Sequence, residues 1–413
     1  MSAAGIVIAG AGQAGFQLAA SLREGGFRDP ITLVGDETAL PYQRPPLSKA
    51  YLAGKTDRTG LFLRQPGFFT EHSITHRPGV SAVAIDRAGR RLGLSDGDSL
   101  AYDHLVIATG ARNRPLPVPG AELDNVHQLR GLADADALRA AIAAAQAIVV
   151  VGAGFIGLEF AAVAATRGLS VTVVEAADRA MARAVSPEIA RFFRGVHEAM
   201  GVRFAFGASV TAIVGRQGRA AGIVLADGRE LAADFVLIGI GVVPNRELAA
   251  AAGLPADDGV RVDAFLATPD PAISAIGDCA RFPSPFARGL TPDGTVRIES
   301  VQNAIDQGRC LAARLNGKPA PYAALPWFWS DQGMHKLQIA GLAGPGDASV
   351  VRGAGDAFSV FRFRDGSLSA VESVDRAADH MIARRLLAAG THLTPNQAAD
   401  PDFDIKALAM RRP

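Results

Sequence analysis

The sequence predicts an α/β chain: two nested, doubly wound domains with parallel sheets, followed by a C-terminal α+β domain. Three observations predict it. A glycine-rich turn between an apolar strand and a helix lies near the start of the chain, and the same arrangement recurs 142 residues later. The segment from about residue 324 onward reads as strands and one helix without a third turn of that kind. A length of 413 residues agrees with roughly two to four domains, and 49% hydrophobic with 20% charged residues is ordinary globular composition.

The first turn follows the β-branched run GIVIAG. It reads Gly10-Ala11-Gly12-Gln13-Ala14-Gly15 and opens the amphipathic stretch FQLAASLRE. Strand, GxGxxG and helix form a Rossmann-like dinucleotide cradle: one glycine makes the tight turn, one lets backbone N–H groups approach a pyrophosphate, and one lets helix and strand pack closely. The phosphate charge then meets the positive helix N-terminus. The next strand, Ile31 to Val34, ends at Gly35-Asp36-Glu37, where a carboxylate can accept from a ribose hydroxyl. In the second cradle, Ala147 to Val151 leads into Gly152-Ala153-Gly154-Phe155-Ile156-Gly157, and Ser170 to Val174 ends at Glu175. Two cradles imply two dinucleotides, and a flavin with a nicotinamide is the economical pair. A glutamate at the second strand end accepts from both ribose hydroxyls and repels a 2′-phosphate, which favours NADH over NADPH, with Arg179 and Arg183 close by in sequence.

Two buried strands, Leu105 to Gly110 ending in Thr109-Gly110 and Phe235 to Gly241 followed by VVPN, read as the points where the chain crosses between nested domains. The strand Ile273 to Asp278 stops at an aspartate suited to a ribityl hydroxyl beside the flavin pyrophosphate. The resulting boundaries are 1–112 with 242–323 for the FAD-binding domain, 113–241 for the NAD-binding domain and 324–413 for the C-terminal domain. The last contains predicted strands at His335–Leu342, Phe358–Phe363 and Leu368–Val374, a turn at Asp365-Gly366 and a helix near Arg376–Ala389. Trp327 and Trp329 alternate along a further strand, so one is a candidate to face the flavin, against burial of both in the core.

A net charge of +1 offers no electrostatic footprint for nucleic acid or an anionic membrane. The N-terminus runs into an apolar strand with no basic segment before it, so it reads as neither signal peptide nor membrane span, and a cytoplasmic location is expected. The arginine- and alanine-heavy usage suggests a bacterial source. Cys279 and Cys310 are the only cysteines and form no CxxC pair. His72 and His76 have helical spacing but no third ligand, so no metal site is expected and two solvent-facing polar side chains are the simpler reading. Five lysines stand against thirty-seven arginines, which draws attention to Lys49 at the end of the double-proline stretch LPYQRPPLSKAYL.

In order along the chain, GAGQAG, LPYQRPPLSKAYL, VIATGARNRP, GAGFIGLE, GVVPN, AIGDCA, RIESVQNA and PWFWSDQG resemble the NADH-dependent ferredoxin reductases of bacterial cytochrome P450 and ring-hydroxylating dioxygenase systems. These are the putidaredoxin reductase type within the glutathione-reductase-like FAD superfamily, and the resemblance covers essentially the whole chain. It implies non-covalent FAD and NADH as cofactors, a [2Fe–2S] ferredoxin as partner, and through it a P450 or oxygenase. Disulfide reductases of the superfamily carry a cysteine pair after the first unit where this chain has PPLSK, so electrons are expected to leave the flavin directly.

By the same resemblance Lys49 lies near the flavin N5, where a cation favours the anionic reduced flavin, and Glu159 is its partner. Phe155 is the aromatic expected to move to admit the nicotinamide. Ala14, Asp36, Lys49, Ala82, Arg130, Asp278 and Val301 fall on FAD contacts beside Gly10, Gly12, Gly15, Thr109 and Gly110; Ala82 stands where relatives often carry valine. Gly152, Gly154, Ile156, Gly157, Glu159, Glu175 and Gly241 are assigned to NAD, Trp329 to the flavin side, and Arg309 to ferredoxin docking. Other readings are a rubredoxin reductase, an NADH oxidase, or a signalling flavoprotein like the apoptosis-inducing factors. A monomer is expected over a dimer.

Overall fold

The computed structural model describes residues 4–410. The chain divides into two compact units. One comprises the chain up to Gln43, Leu61–Arg112 and Val243–Phe328; the other comprises Arg44–Gly60, Asn113–Val242 and the chain from Trp329 onward.

The first unit is built on a five-stranded parallel sheet in the spatial order Ile273–Ala275, His104–Ile107, Ile6–Ala9, Ile31–Gly35, Ile74–Pro78. Its central strands are apolar on both faces because helices or loops cover both, the pattern parallel sheets require. Ile8, Leu33, Leu105, Val106 and Ile107 are fully buried. The helix Gln13–Glu24 springs from the first glycine turn and packs against Val301–Leu315. The approach is close because Gly308 lacks a side chain: a Cβ there would stand 3.1 Å from the Ala14 carbonyl oxygen. A three-stranded antiparallel sheet, Ala82–Asp86, Arg91–Leu94 and Ser99–Ala101, completes the excursion after the third parallel strand.

The second unit repeats the plan, with parallel strands in the order Arg203–Phe206, Ser170–Glu175, Ala147–Val151, Phe235–Ile238, Val126–His127. The helix Phe155–Thr166 follows its glycine turn. The C-terminal segment forms a five-stranded sheet ordered Trp327–Gln332, His335–Gly341, Ser367–Val374, Ala357–Arg364, Ala348–Ala354. Asp365 and Gly366 both take positive φ, 49° and 76°, as a two-residue hairpin turn demands. The helix Ala377–Ala389 packs on this sheet and ends at Gly390 in the left-handed conformation. The edge strand Ala348–Ala354 escapes a reading of the sequence, since it is mostly exposed and carries Arg352 and Gly353 where an apolar alternation would signal it.

His72 and His76 do not share a helix. The helix Pro66–Glu71 ends before them, Ser73 turns the chain with φ 50°, and His76 belongs to the strand Ile74–Pro78. Neither simply faces solvent: His72 stacks on Phe68 and His76 on Phe69. Among the described residues there is no group of three or more side chains able to hold a metal ion, and no helix long and apolar enough to cross a membrane.

Candidate active site

The first cradle has the geometry its glycines predict. Gly10 turns at φ 125°, and a Cβ there would stand 2.1 Å from the Ala108 carbonyl oxygen. At Gly15 it would stand 2.0 Å from the Gly10 carbonyl oxygen, whereas at Gly12 it would meet nothing within 4 Å. The outer glycines are therefore dictated by packing, and the middle one by what approaches from outside. Gly12 caps the helix without a side-chain hydrogen bond, and the first turn holds no acidic residue, so its amides and positive dipole end are left for an anion. The second cradle matches: a Cβ at Gly152 would stand 2.5 Å from the Gly239 carbonyl oxygen, while Gly154 caps its helix with no side-chain bond and no acid in the first turn. Both suit a pyrophosphate.

Around the first cradle, Thr109 and Asn245 join the two predicted crossing points. Thr109 Oγ1 donates to the Asn245 carbonyl at 2.7 Å, and Asn245 Nδ2 to the Thr109 carbonyl at 2.8 Å. Gly110 turns at φ 66° beside them. Asp278 lies in the 3-10 turn Gly277–Cys279 and not at the strand end, because the strand stops at Ala275. That turn is held by Gln307, fully buried, whose Oε1 accepts from the Gly277 N–H at 2.6 Å. Gln307 was not legible in the sequence; an amide on a helix face carries no motif. Asp36 is exposed after its strand, Ala82 is half-buried on the antiparallel sheet, and Val301 opens a helix capped by Ser300.

At the rim of the second cradle, Glu175 does more than end a strand. Its Oε2 accepts from the Ala153 N–H and its Oε1 from the Ala177 N–H, each at 2.8 Å. The loop that follows folds back, with Met181 N–H donating to the Ala153 carbonyl at 2.9 Å. Arg179 is turned onto Asp178 and the Ala182 carbonyl, and the Arg183 guanidinium lies against Gly241. Gly241 accepts from the Arg114 N–H.

Lys49 and Glu159, 110 positions apart in sequence, are brought together by the 3-10 turn Pro45–Ser48 and the second-cradle helix. Lys49 Nζ stands 3.0 Å from Glu159 Oε1. Ser48 Oγ donates to Glu159 Oε2 at 2.5 Å and Ser330 Oγ to Oε1 at 2.6 Å. Burial pushes the Glu159 carboxyl above the ordinary range, and Lys49 with the two hydroxyls offsets only part of that rise. An ion pair so placed survives only when its remaining lone pairs are satisfied, which explains both serines; only their identity, not their role, was visible in the sequence. The segment carrying Lys49 is pinned further: Arg44 donates to the Arg130 carbonyl, and the Tyr51 hydroxyl donates to Asp136 at 2.5 Å.

Phe155 is the half-buried first residue of its helix, and Ile156 beside it is exposed. Trp327 and Trp329 are both half-buried, so neither is a core residue. Arg309 is exposed, and among the described residues it has no salt bridge, since Asp306 accepts instead from Gln302 Nε2 at 2.8 Å.

Residues 4–308 match the family described as pyridine nucleotide-disulphide oxidoreductase, and residues 327–409 match the reductase C-terminal family. The chain is 54% identical to rhodocoxin reductase of Rhodococcus erythropolis, over 98% of this chain and 94% of the relative. Among solved structures, a ferredoxin reductase from Rhodopseudomonas palustris superposes with a TM-score of 0.94 at 50% identity, covering 98% of this chain and 99% of the other. Putidaredoxin reductase in its covalent complex with putidaredoxin gives a TM-score of 0.94 at 39% identity, covering 99% and 98%. FAD and NAD(H) are the cofactors this kinship implies, and the cradles fit them. The chain belongs to the pyridine nucleotide-disulphide oxidoreductase family, in the branch that carries a reductase C-terminal domain.

Proposed function

We propose that the protein is an NADH:ferredoxin oxidoreductase that supplies a [2Fe–2S] ferredoxin and, through it, a cytochrome P450 or ring-hydroxylating dioxygenase. The observation that carries this reading is the pairing of half-buried Lys49, at the end of the PPLSK segment, with the buried Glu159, with no thiol pair to take the electrons. Bound FAD supplies the conversion of a hydride into single electrons. The rest falls to the chain. Lys49 holds a positive charge fixed by Glu159, and Ser48 and Ser330 hold Glu159; a preoriented charge stabilises developing negative charge without reorganisation. Phe155 is assigned the role of admitting the nicotinamide, Trp329 the flavin side, and Glu175 the adenosine ribose.

An oxidase working through a thiol is disfavoured. Cys279 is completely buried, its Sγ faces the Ile107 and Ile276 carbonyls, and burial pushes the thiol upward, away from the reactive thiolate. We assign residues 1–112 and 242–323 to FAD binding, 113–241 to NAD binding and 324–413 to the C-terminal domain, and we place the enzyme in the cytoplasm as a monomer.

The test is NADH-driven reduction of a [2Fe–2S] ferredoxin set against oxygen consumption: fast ferredoxin reduction with slow oxygen uptake is expected, and the reverse identifies an oxidase. Lys49→Met should slow flavin reduction about tenfold or more while FAD stays bound, a difference in transition-state stabilisation of about 1.4 kcal/mol. Unchanged stopped-flow rates would remove Lys49 from the mechanism.

A further inference from the structure

Lys49 has a second carboxylate. Asp331 Oδ2 stands 3.6 Å from Lys49 Nζ, and the other oxygen of Asp331 is 2.7 Å from Lys336 Nζ. Glu159, Lys49, Asp331 and Lys336 thus form one chain of alternating charge. Its side chains run from inside to outside, with exposures of 3%, 18%, 36% and 50%. The inner contact, at 3.0 Å, is short and lies on the buried side, and it sets the Lys49 position. The outer ones are solvated and adjustable, because pairing between exposed groups is worth little and is easily exchanged.

The outer end is built so that only a side chain has to move. Asp375 clamps the backbone next to it, accepting from the Lys336 N–H at 2.8 Å through Oδ1 and pairing with His335 Nδ1 at 2.7 Å through Oδ2. The strand is anchored while the Lys336 ammonium is held by Asp331 alone among the described residues. Two positions before it, Met334 stands 97% exposed at the hairpin tip, an uncovered apolar group beside an exposed cation. An exposed cation beside an exposed apolar residue suits an acidic protein with an apolar contact surface.

We infer that Asp331 and Lys336 are positioning residues that couple the docking of an acidic ferredoxin to the charge presented by Lys49. When acidic groups of the partner draw Lys336 away, Asp331 is left to Lys49 alone. The positive charge that Lys49 presents is then more fully countered, and the bound flavin becomes a better electron donor when its acceptor is in place. The inference rests on the assignment of Lys49 to the flavin.

The midpoint potential of the bound flavin, followed spectroscopically with and without a saturating, redox-silent gallium-substituted ferredoxin, tests it. In the wild type, the ferredoxin should shift the two-electron equilibrium about threefold toward oxidation, a fall of about 15 mV. Lys336→Gln should show that lowered potential without partner and no further shift on addition. Asp331→Asn should raise the potential and abolish the response. A wild-type potential that ignores the ferredoxin, or a Lys336→Gln protein that responds as the wild type does, overturns the coupling. Lys49→Met separates the two readings: if it leaves the potential unchanged, the Lys49 assignment fails and the coupling with it, whereas a shift in Lys49→Met with none in Lys336→Gln removes the coupling alone.

Discussion

Glu175 invites the change most often tried on a dinucleotide site, removal of the carboxylate to admit NADPH, and its two backbone hydrogen bonds predict that truncation to alanine fails. A 2′-phosphate brings roughly 1.5–2 negative charges. At about 5 Å and an effective dielectric of about 20, each unit pair costs about 3 kcal/mol. The nearby Arg183 and salt reduce this, so about 1.4 kcal/mol, a tenfold preference for NADH, is a floor. Glu175→Gln removes the charge and keeps one carbonyl oxygen for an amide. It should raise kcat/KM for NADPH about tenfold and lower that for NADH severalfold. Glu175→Ala instead leaves two donors, the N–H groups of Ala153 and Ala177, without their acceptor. Ala153 is fully buried, and an orphaned buried donor costs about 1–3 kcal/mol. The alanine protein should melt earlier and lose rate with both coenzymes, because the Ala153 amide and the folded-back loop help shape the cradle. Steady-state kinetics with ferricyanide as acceptor, beside thermal melts, decide the matter. A glutamine variant with unchanged discrimination, or an alanine variant as stable as wild type and simply NADPH-active, refutes the reasoning.

Gly12→Ala should fold and lose FAD, since a Cβ there meets no protein atom but stands where the cofactor approaches, whereas Gly15→Ala should fail to fold against the Gly10 carbonyl; flavin absorbance and circular dichroism distinguish the two. Arg309→Glu should raise the KM for an acidic ferredoxin at least about tenfold and flatten its salt dependence, with ferricyanide reduction unchanged; loss of both activities would assign Arg309 to the fold instead. His380, almost fully buried, is pushed down to about 4 by burial and then by Arg384. A depressed histidine contributes stability that is whole above its unfolded value of about 6.5 and is lost as pH falls toward 4, on the order of 2–3 kcal/mol. Denaturant titrations at pH 7 and 4.5 should therefore differ less in His380→Leu than in the wild type.

The two cradles were legible because their signal is local. A glycine turn, the strand before it and the helix after it lie within about thirty residues, and steric exclusion at Gly10, Gly15 and Gly152 permits almost nothing else. The Asp365-Gly366 hairpin was legible for the same reason, since both residues must take positive φ. The pattern misplaced Asp278 at a strand end, because the strand stops early and a 3-10 turn intervenes, held by a glutamine twenty-nine positions further on. His72 and His76 misled as a helical pair, since spacing alone does not register that the Pro66–Glu71 helix stops and Ser73 reverses the chain.

What the linear chain determined, then, is the pair of glycine-turn cradles, the Lys49 segment in place of a dithiol, and the glutamates Glu159 and Glu175 beside the second cradle. What tertiary structure alone decided is how those groups are held. Ser48 and Ser330 converge on Glu159, Asp331 and Lys336 extend the pair to the surface, and Glu175 is tied to amides on two sides of its turn. A backbone turn is specified by the few residues that must bend. A buried charge is stabilised by whatever donors the whole fold brings within about 3 Å, and serines, amides and backbone N–H groups of that kind occur throughout any chain.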